Sequence, residues 1–246
     1  EKIPGVVEIA KNFANTDVTK SCLVIAPSAH YSMGGVSVDL DCQVVDSNDN
    51  KVVGLYAVGE SSCLSVHGAN RLGCNSLLEL IVFGKVCANH VANNNINTLS
   101  FDSIATEKVE KFIKELNIHI NEGININFED VRNEIRLINE KYLAIFRSEE
   151  KMNIGISKLK EVKRKIDSLK ISDTNLKYNR QIIEIMELKN LYTNSLISFY
   201  SAISRKESRG SHYHNDYPKR DDDNFKHHTM VVKSGNNINI YPKPVS

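Results

Sequence analysis

The sequence predicts a chain of class α/β plus α: an α/β segment, then a helical bundle, then a short extended tail. Three observations carry this. Residues 52–91 run in the order apolar strand, glycine-containing loop, apolar helix. From 104 to 204, Glu, Lys, Ile and Leu recur at helical spacing in four successive stretches. Between the two regions lies "ANNNINTLSFDS" (92–103), polar and without periodicity, which reads as a linker. The organisation expected is therefore 1–20, 21–100, 101–205 and 206–246.

Taken in order, "PGVVEIAKNFAN" (4–15) predicts a short helix with proline in its first turn. Residues 22–26 predict a short apolar strand, followed by a polar loop that ends in Gly34-Gly35. Val36 and Val38 alternate with polar neighbours, and "DSNDNK" is a turn, so 36–45 and 52–58 are expected to pair as strands. "VVGLYAVGE" reads as a continuous buried strand ending at Gly59-Glu60. A helix then runs from a cap at Asn75 or Ser76 to about Val91. The helical stretches are 104–116, 127–147, 149–168 and 180–204; none keeps a strict heptad, which favours a bundle over a long coiled coil. The tail carries a short strand at "KHHTMVV", and its last residues, with Pro242 and Pro244, look extended.

Composition narrows the function. Of 246 residues, 41% are hydrophobic, enough for a core, and the net charge of +1 gives no reason to expect nucleic acid as a partner. No apolar run reaches the roughly 20 residues that span a bilayer, and the best candidate, 77–86, is interrupted by Glu79, Gly84 and Lys85. Five cysteines without a C-x-x-C pair suit reduced thiols. His212, His214, His227 and His228 do not have zinc-module spacing, so no metal is expected. The chain begins with Glu1 and reads as a piece of something longer.

The stretch richest in chemistry is "SVHGANRLGCNSLLELIVFGK" (65–85). The helix start at Asn75-Ser76-Leu77 has amides without intrahelical partners and the positive end of the helix dipole. It is either an ordinary capped terminus or a seat for an anion or an electron-rich ring edge. Glu60, at the end of a strand, suits a ribose or ribityl hydroxyl. The planar fork of Arg71 matches a carboxylate, whether in a structural salt bridge or in a ligand. His30 and His67 can each donate to a carboxylate oxygen.

At "HYSMGG", "GLYAVGE", "SVHGANRLGCNSLLELIVFGK", "RKESRGSH" and "RDDDNFKHHT" the chain resembles the flavoprotein subunit of succinate dehydrogenase and fumarate reductase. The resemblance implies the C-terminal part of that subunit, less than half of it: the end of a capping domain, the C-terminal portion of a Rossmann-like FAD-binding domain, and a helical domain with its tail. It further implies FAD as cofactor, His30 and Arg71 as binders of the succinate or fumarate carboxylates, and Glu60, Ser76 and Leu77 as flavin contacts. His67, Asn70, Arg209 and His212 become supporting residues behind that site. No catalytic residue is expected within this chain, because the proton-transferring arginine, the pyrophosphate loop and the flavin-linking histidine of the family fall upstream; no G-x-G-x-x-G occurs here. An iron–sulfur subunit and membrane anchor subunits are the partners implied, with quinone reached indirectly, at the cytoplasmic face of the inner membrane. Two alternatives stand beside this reading. L-Aspartate oxidase shares much of the pattern, but Met33 and Gly73 lean to the dehydrogenase side. A non-catalytic assembly module is opposed by the joint presence of His30, Glu60 and Arg71.

Overall fold

The computed structural model describes residues 3–25, 30–94, 104–235 and 237–245. The chain divides into two compact units, Glu1–His30 and Tyr31–Ser246. The first contains helix α1 (Pro4–Ala14), which starts with proline in its first turn and stops at Asn15 in the left-handed conformation, φ 46°. Residues 22–25 form no strand and 26 lies outside the described residues, so the expected strand at 22–26 is not seen. An apolar pentapeptide becomes a strand only with a neighbour to bond to.

The second unit begins with short strands. These are β1 (Val36–Ser37), β2 (Gln43–Val45), β3 (Lys51–Tyr56) and β4 (Ser62–Cys63). β2 and β3 pair antiparallel around the "DSNDNK" turn, as expected, with Asp46 accepting from the Asn48 and Asn50 amides. β1 pairs in parallel with β4, which the sequence did not indicate. The stretch 52–60 is not a buried strand. β3 ends at Tyr56, a 3₁₀ turn occupies Gly59–Ser61, and Val53 stands 73% exposed. A two-stranded ribbon has no second layer among the described residues to cover it, so its apolar composition does not translate into burial. Helix α2 (Asn75–Asn93) follows.

Four helices come next: α3 (Ile104–Asn121), α4 (Phe128–Tyr142), α5 (Glu149–Ser168) and α6 (Arg180–Ser204). The linker expected at 92–103 lies mostly outside the described residues. Side-chain caps fix three of the four starts. Asn127 accepts from the Glu129 amide, Ser148 from Lys151, and Asn179 from Gln181 and Ile182. α4 is shorter than the predicted 127–147 because the chain leaves the helix at Leu143, and Phe146–Arg147 forms β5. The apolar stripes of α4, α5 and α6 meet in one core that includes Ile135, Leu159, Ile166, Leu188 and Phe199.

The tail is built against this core. β6 (Tyr213–His214) pairs in parallel with β5, and Asp216 accepts from the Glu149 amide at the first turn of α5. After the single-turn helix α7 (Asp222–Phe225), β7 (His227–Ser234) and β8 (Asn237–Pro244) form an antiparallel hairpin along their whole length. The residues around Pro242 and Pro244 are extended, as expected, and they are paired as well. Pro242 and Pro244 are tolerated because each strand of a two-stranded ribbon has a free edge.

Candidate functional site

The loop between β4 and α2 is held close to the segment that precedes β1. Gly35 has φ 149°, and a Cβ there would collide with the Ser61 carbonyl, so a side chain would push the two segments apart. The Ser32 amide donates to Glu60 Oε1 at 2.8 Å across the same contact. This approach brings Tyr31 over the loop. Its hydroxyl donates to Glu79 Oε2 at 3.2 Å, and its ring meets that of His67 edge-on at 5.6 Å. His67 Nε2 lies 2.6 Å from the same Glu79 oxygen. The Glu79 side chain is 3% exposed. Burial, followed by the charge of Glu79, pushes the Tyr31 hydroxyl above its ordinary pKa, so it stays a donor.

Arg71 completes the group. Its guanidinium carbon sits 4.4 Å from the centroid of the Tyr31 ring. Among the described residues no carboxylate lies within ion-pair distance of Arg71. Its Nη1 makes only a 3.4 Å contact with the Leu72 carbonyl, and its buried Nε has no partner. His67 Nδ1 is likewise buried without a partner. Neither atom has a hydrogen-bond partner among the described residues.

At the start of α2, neither Asn75 nor Ser76 provides the side-chain cap expected from the sequence. Cys74 occupies the cap with φ 67° and no side-chain hydrogen bond. The Asn75 amide bonds the Leu72 carbonyl and the Leu77 amide bonds that of Cys74, which leaves the Ser76 amide without an acceptor among the described residues. The Leu77 side chain is exposed.

The chain is also similar to known proteins. Residues 132–246 match the model of the fumarate reductase flavoprotein C-terminus, and residues 1–77 match that of an FAD binding domain. The chain is 37% identical over 251 residues to a succinate dehydrogenase flavoprotein subunit of Rickettsia bellii, covering 100% of this chain and 42% of that protein. It is 34% identical to the fumarate reductase flavoprotein subunit of Escherichia coli, over 95% of this chain and 38% of that one. Among solved structures it matches an E. coli quinol fumarate reductase chain with a TM-score of 0.84 and 31% identity, covering 100% of this chain and 42% of that chain. The chain belongs to the succinate dehydrogenase and fumarate reductase flavoprotein family. It spans about two fifths of the length of the curated relatives it matches.

The FAD binding domain match assigns FAD as the cofactor. The residues present fit such a group: an open helix-start amide at Ser76, the exposed Leu77 beside it, and a second oxygen of Glu60 left over after Ser32 is bonded. His30 falls in the first unit, where it is exposed. Asn70 is exposed, and its side chain makes no hydrogen bond among the described residues.

Arg209 and His212, the other two residues expected to support the site, lie in the tail. They face each other across a tight turn whose tip, Gly210-Ser211, rests on the loop that carries Arg71. The Ser211 amide and hydroxyl both donate to the Ala69 carbonyl at 3.3 Å, and a Cβ at Gly210 (φ 58°) would collide with the same carbonyl. Arg209 binds Glu207 and Asp222. His212 accepts from Arg147 Nη1 at 2.7 Å through Nδ1 and donates through Nε2 to the Arg205 carbonyl. Burial, aided by the Arg147 charge, lowers its pKa to about 4, so it is a neutral structural group.

The turn is anchored by Glu207, whose side chain is 0% exposed. Burial opposes its charge, but bonds from Arg209, the Asp221 amide and Arg205 outweigh that and hold its carboxyl below the usual range. Sequence reasoning missed Tyr31, Glu79, Arg147 and Glu207. Glu79 did leave a signal, as the one acid inside the apolar run of α2, where a carboxylate without a partner would be costly.

Proposed function

We propose that this chain forms part of a flavoenzyme that interconverts succinate and fumarate, with residues 21–100 as the C-terminal portion of its FAD-binding domain and 101–205 as its helical domain. The observation that carries this is Arg71, a partly buried cation with no carboxylate within ion-pair distance among the described residues, whose one hydrogen bond there is a long contact with the Leu72 carbonyl. Such a group fits a planar anion in bidentate fashion. Arg71 binds one carboxylate of the diacid, and His30 donates to a carboxylate as well. A carboxylate held in this way orients the carbon–hydrogen bond of the diacid toward its acceptor, which is catalysis by orientation. The Ser76 amide, with Leu77 beside it, is offered to the flavin ring edge where charge develops on reduction, and Glu60 to a ribityl hydroxyl. Bound FAD supplies the two-electron acceptor.

Beyond the site, the reading includes an iron–sulfur subunit that takes the electrons, membrane anchor subunits and quinone downstream, and a location at the cytoplasmic face of the inner membrane through those partners. No helix among the described residues is long and apolar enough to cross a membrane. The test is Arg71→Ala in the full-length subunit, assembled with its partners. Loss of a bidentate charge-assisted contact made to the reacting diacid lowers kcat/KM by about a thousandfold or more, with the flavin absorbance retained. An unchanged kcat/KM removes Arg71 from the substrate site and takes the reading with it.

A further inference from the structure

We propose that Tyr31 and Glu79 are positioning residues for Arg71, holding its guanidinium by a ring face so that its full charge stays available to a dicarboxylate. The proposal rests on the functional reading above and adds to it how the arginine is held. An arginine at a binding site must be fixed in place without being neutralised. The usual way to fix one is an ion pair, which consumes the fork that the ligand needs. Here the guanidinium lies over the Tyr31 ring, its carbon 4.4 Å from the centroid, and the one hydrogen bond beside this is the long 3.4 Å contact of Nη1 with the Leu72 carbonyl. An aromatic face attracts the cation but takes none of its N–H donors.

The ring is itself tightly held. Its hydroxyl is bonded to Glu79, and its edge lies at 89° to His67, which binds the same Glu79 oxygen. Glu79 is fixed in the second turn of α2, three residues beyond Ser76. The arginine and the open amide of Ser76 are thereby indexed to one rigid helix. The arrangement also explains why an acid is buried in an otherwise apolar stretch. A leucine there would pack without a desolvation cost but would leave Tyr31 free to turn. The tyrosine stands between the acid and Arg71, and no ion pair joins the two charges.

The test is made on the full-length subunit in its complex. Malonate, a three-carbon diacid that is not turned over, serves as probe, with its dissociation constant measured by calorimetry beside KM and kcat for succinate. Tyr31→Leu weakens malonate binding and raises KM by about tenfold, with kcat changed less than KM. Glu79→Gln, which keeps one acceptor oxygen for the Tyr31 hydroxyl, stays within about threefold of the parent, whereas Tyr31→Phe and Glu79→Leu, which cut that tie but keep the ring, show an intermediate loss of about threefold to tenfold; no loss in either would remove Glu79 from the proposal. In an Arg71→Ala background Tyr31→Leu has no further effect on malonate, because a residue that acts only through Arg71 is silent without it. That last result separates positioning from a general loss of structure, and Tyr31→Met provides a second ring-free variant if the leucine one does not fold. Malonate affinity unchanged in the ring-free variant, or an undiminished loss in the Arg71→Ala background, overturns the proposal. A parent enzyme that neither binds malonate nor oxidises succinate overturns the functional reading instead, and the proposal falls with it.

Discussion

Two regions of the second unit are held together by different means. From α4 to α6 the chain buries Val131, Ile135, Met152, Leu159, Ile166, Leu188 and Phe199 almost completely, in one continuous core. From 31 to 94 only two apolar side chains, Cys42 and Val44, are buried, while Leu55 on β3 and Leu77, Leu78 and Ile81 on α2 stand exposed. The site-bearing region is tied instead by polar and close-packed contacts: Tyr31, His67 and Glu79, the Ser32–Glu60 bond, and the tail resting on Ala69. A core of interlocked aliphatic side chains tolerates little and specifies one packing. A polar cluster contributes less net stability but fixes the directions of individual groups. The helical region supplies rigidity, and the tail carries it to the loop with Arg71.

The largest effect that tests this division is expected at Glu207. Removing it as Glu207→Ala leaves Arg205 and Arg209 without their buried counter-charge, a loss of about 3–5 kcal/mol. Denaturant titration of the full-length subunit is the check, and a loss below about 1 kcal/mol would show that the tail is not anchored there. The next contrast uses one substitution twice. Ile166→Ala, at a position 0% exposed, costs about 2–5 kcal/mol, whereas Ile81→Ala, at 72% exposed, stays within about 0.5 kcal/mol in the isolated chain. Equal losses would erase the distinction between the regions.

The smallest effect is pH-dependent. The unfolded chain protonates His212 near its ordinary pKa of 6.5, the folded one only near 4. Between those values the unfolded state holds more protons, so stability falls as pH drops from about 6.5 toward 4. His214 and His228 are lowered as well and act in the same direction. His212→Gln therefore flattens the plot of melting temperature against pH without abolishing its slope; an unchanged slope would mean that His212 takes up its proton equally in both states.

The helical region was legible in the sequence because its signals are local. Ser148 and Asn179 sit where caps belong, and the stripes of α5 and α6 need only their own periodicity to be read, so the spans 149–168 and 180–204 come out as predicted. β3 was legible as a strand but not as an exposed one, since burial depends on what lies across from it. At the site, the loop itself was conspicuous and Arg71 and His67 stood out within it. The roles given to them came from the resemblance. Their supports were hidden: Tyr31 and Glu79 are 48 residues apart, and no spacing rule connects them. Glu207 looked like one more charge in a polar tail until the fold brought two arginines around it.

The contact of Ser211 with Ala69 spans 142 residues of chain. On the ribosome the segment with Arg71 leaves the exit tunnel well before its buttress has been translated, at typical elongation rates by several seconds or more. Until then the loop has only its local partners to shape it. The loop with Arg71 is therefore braced late, by a stretch translated well after it, and a subunit that lacked this stretch would leave the loop unbraced.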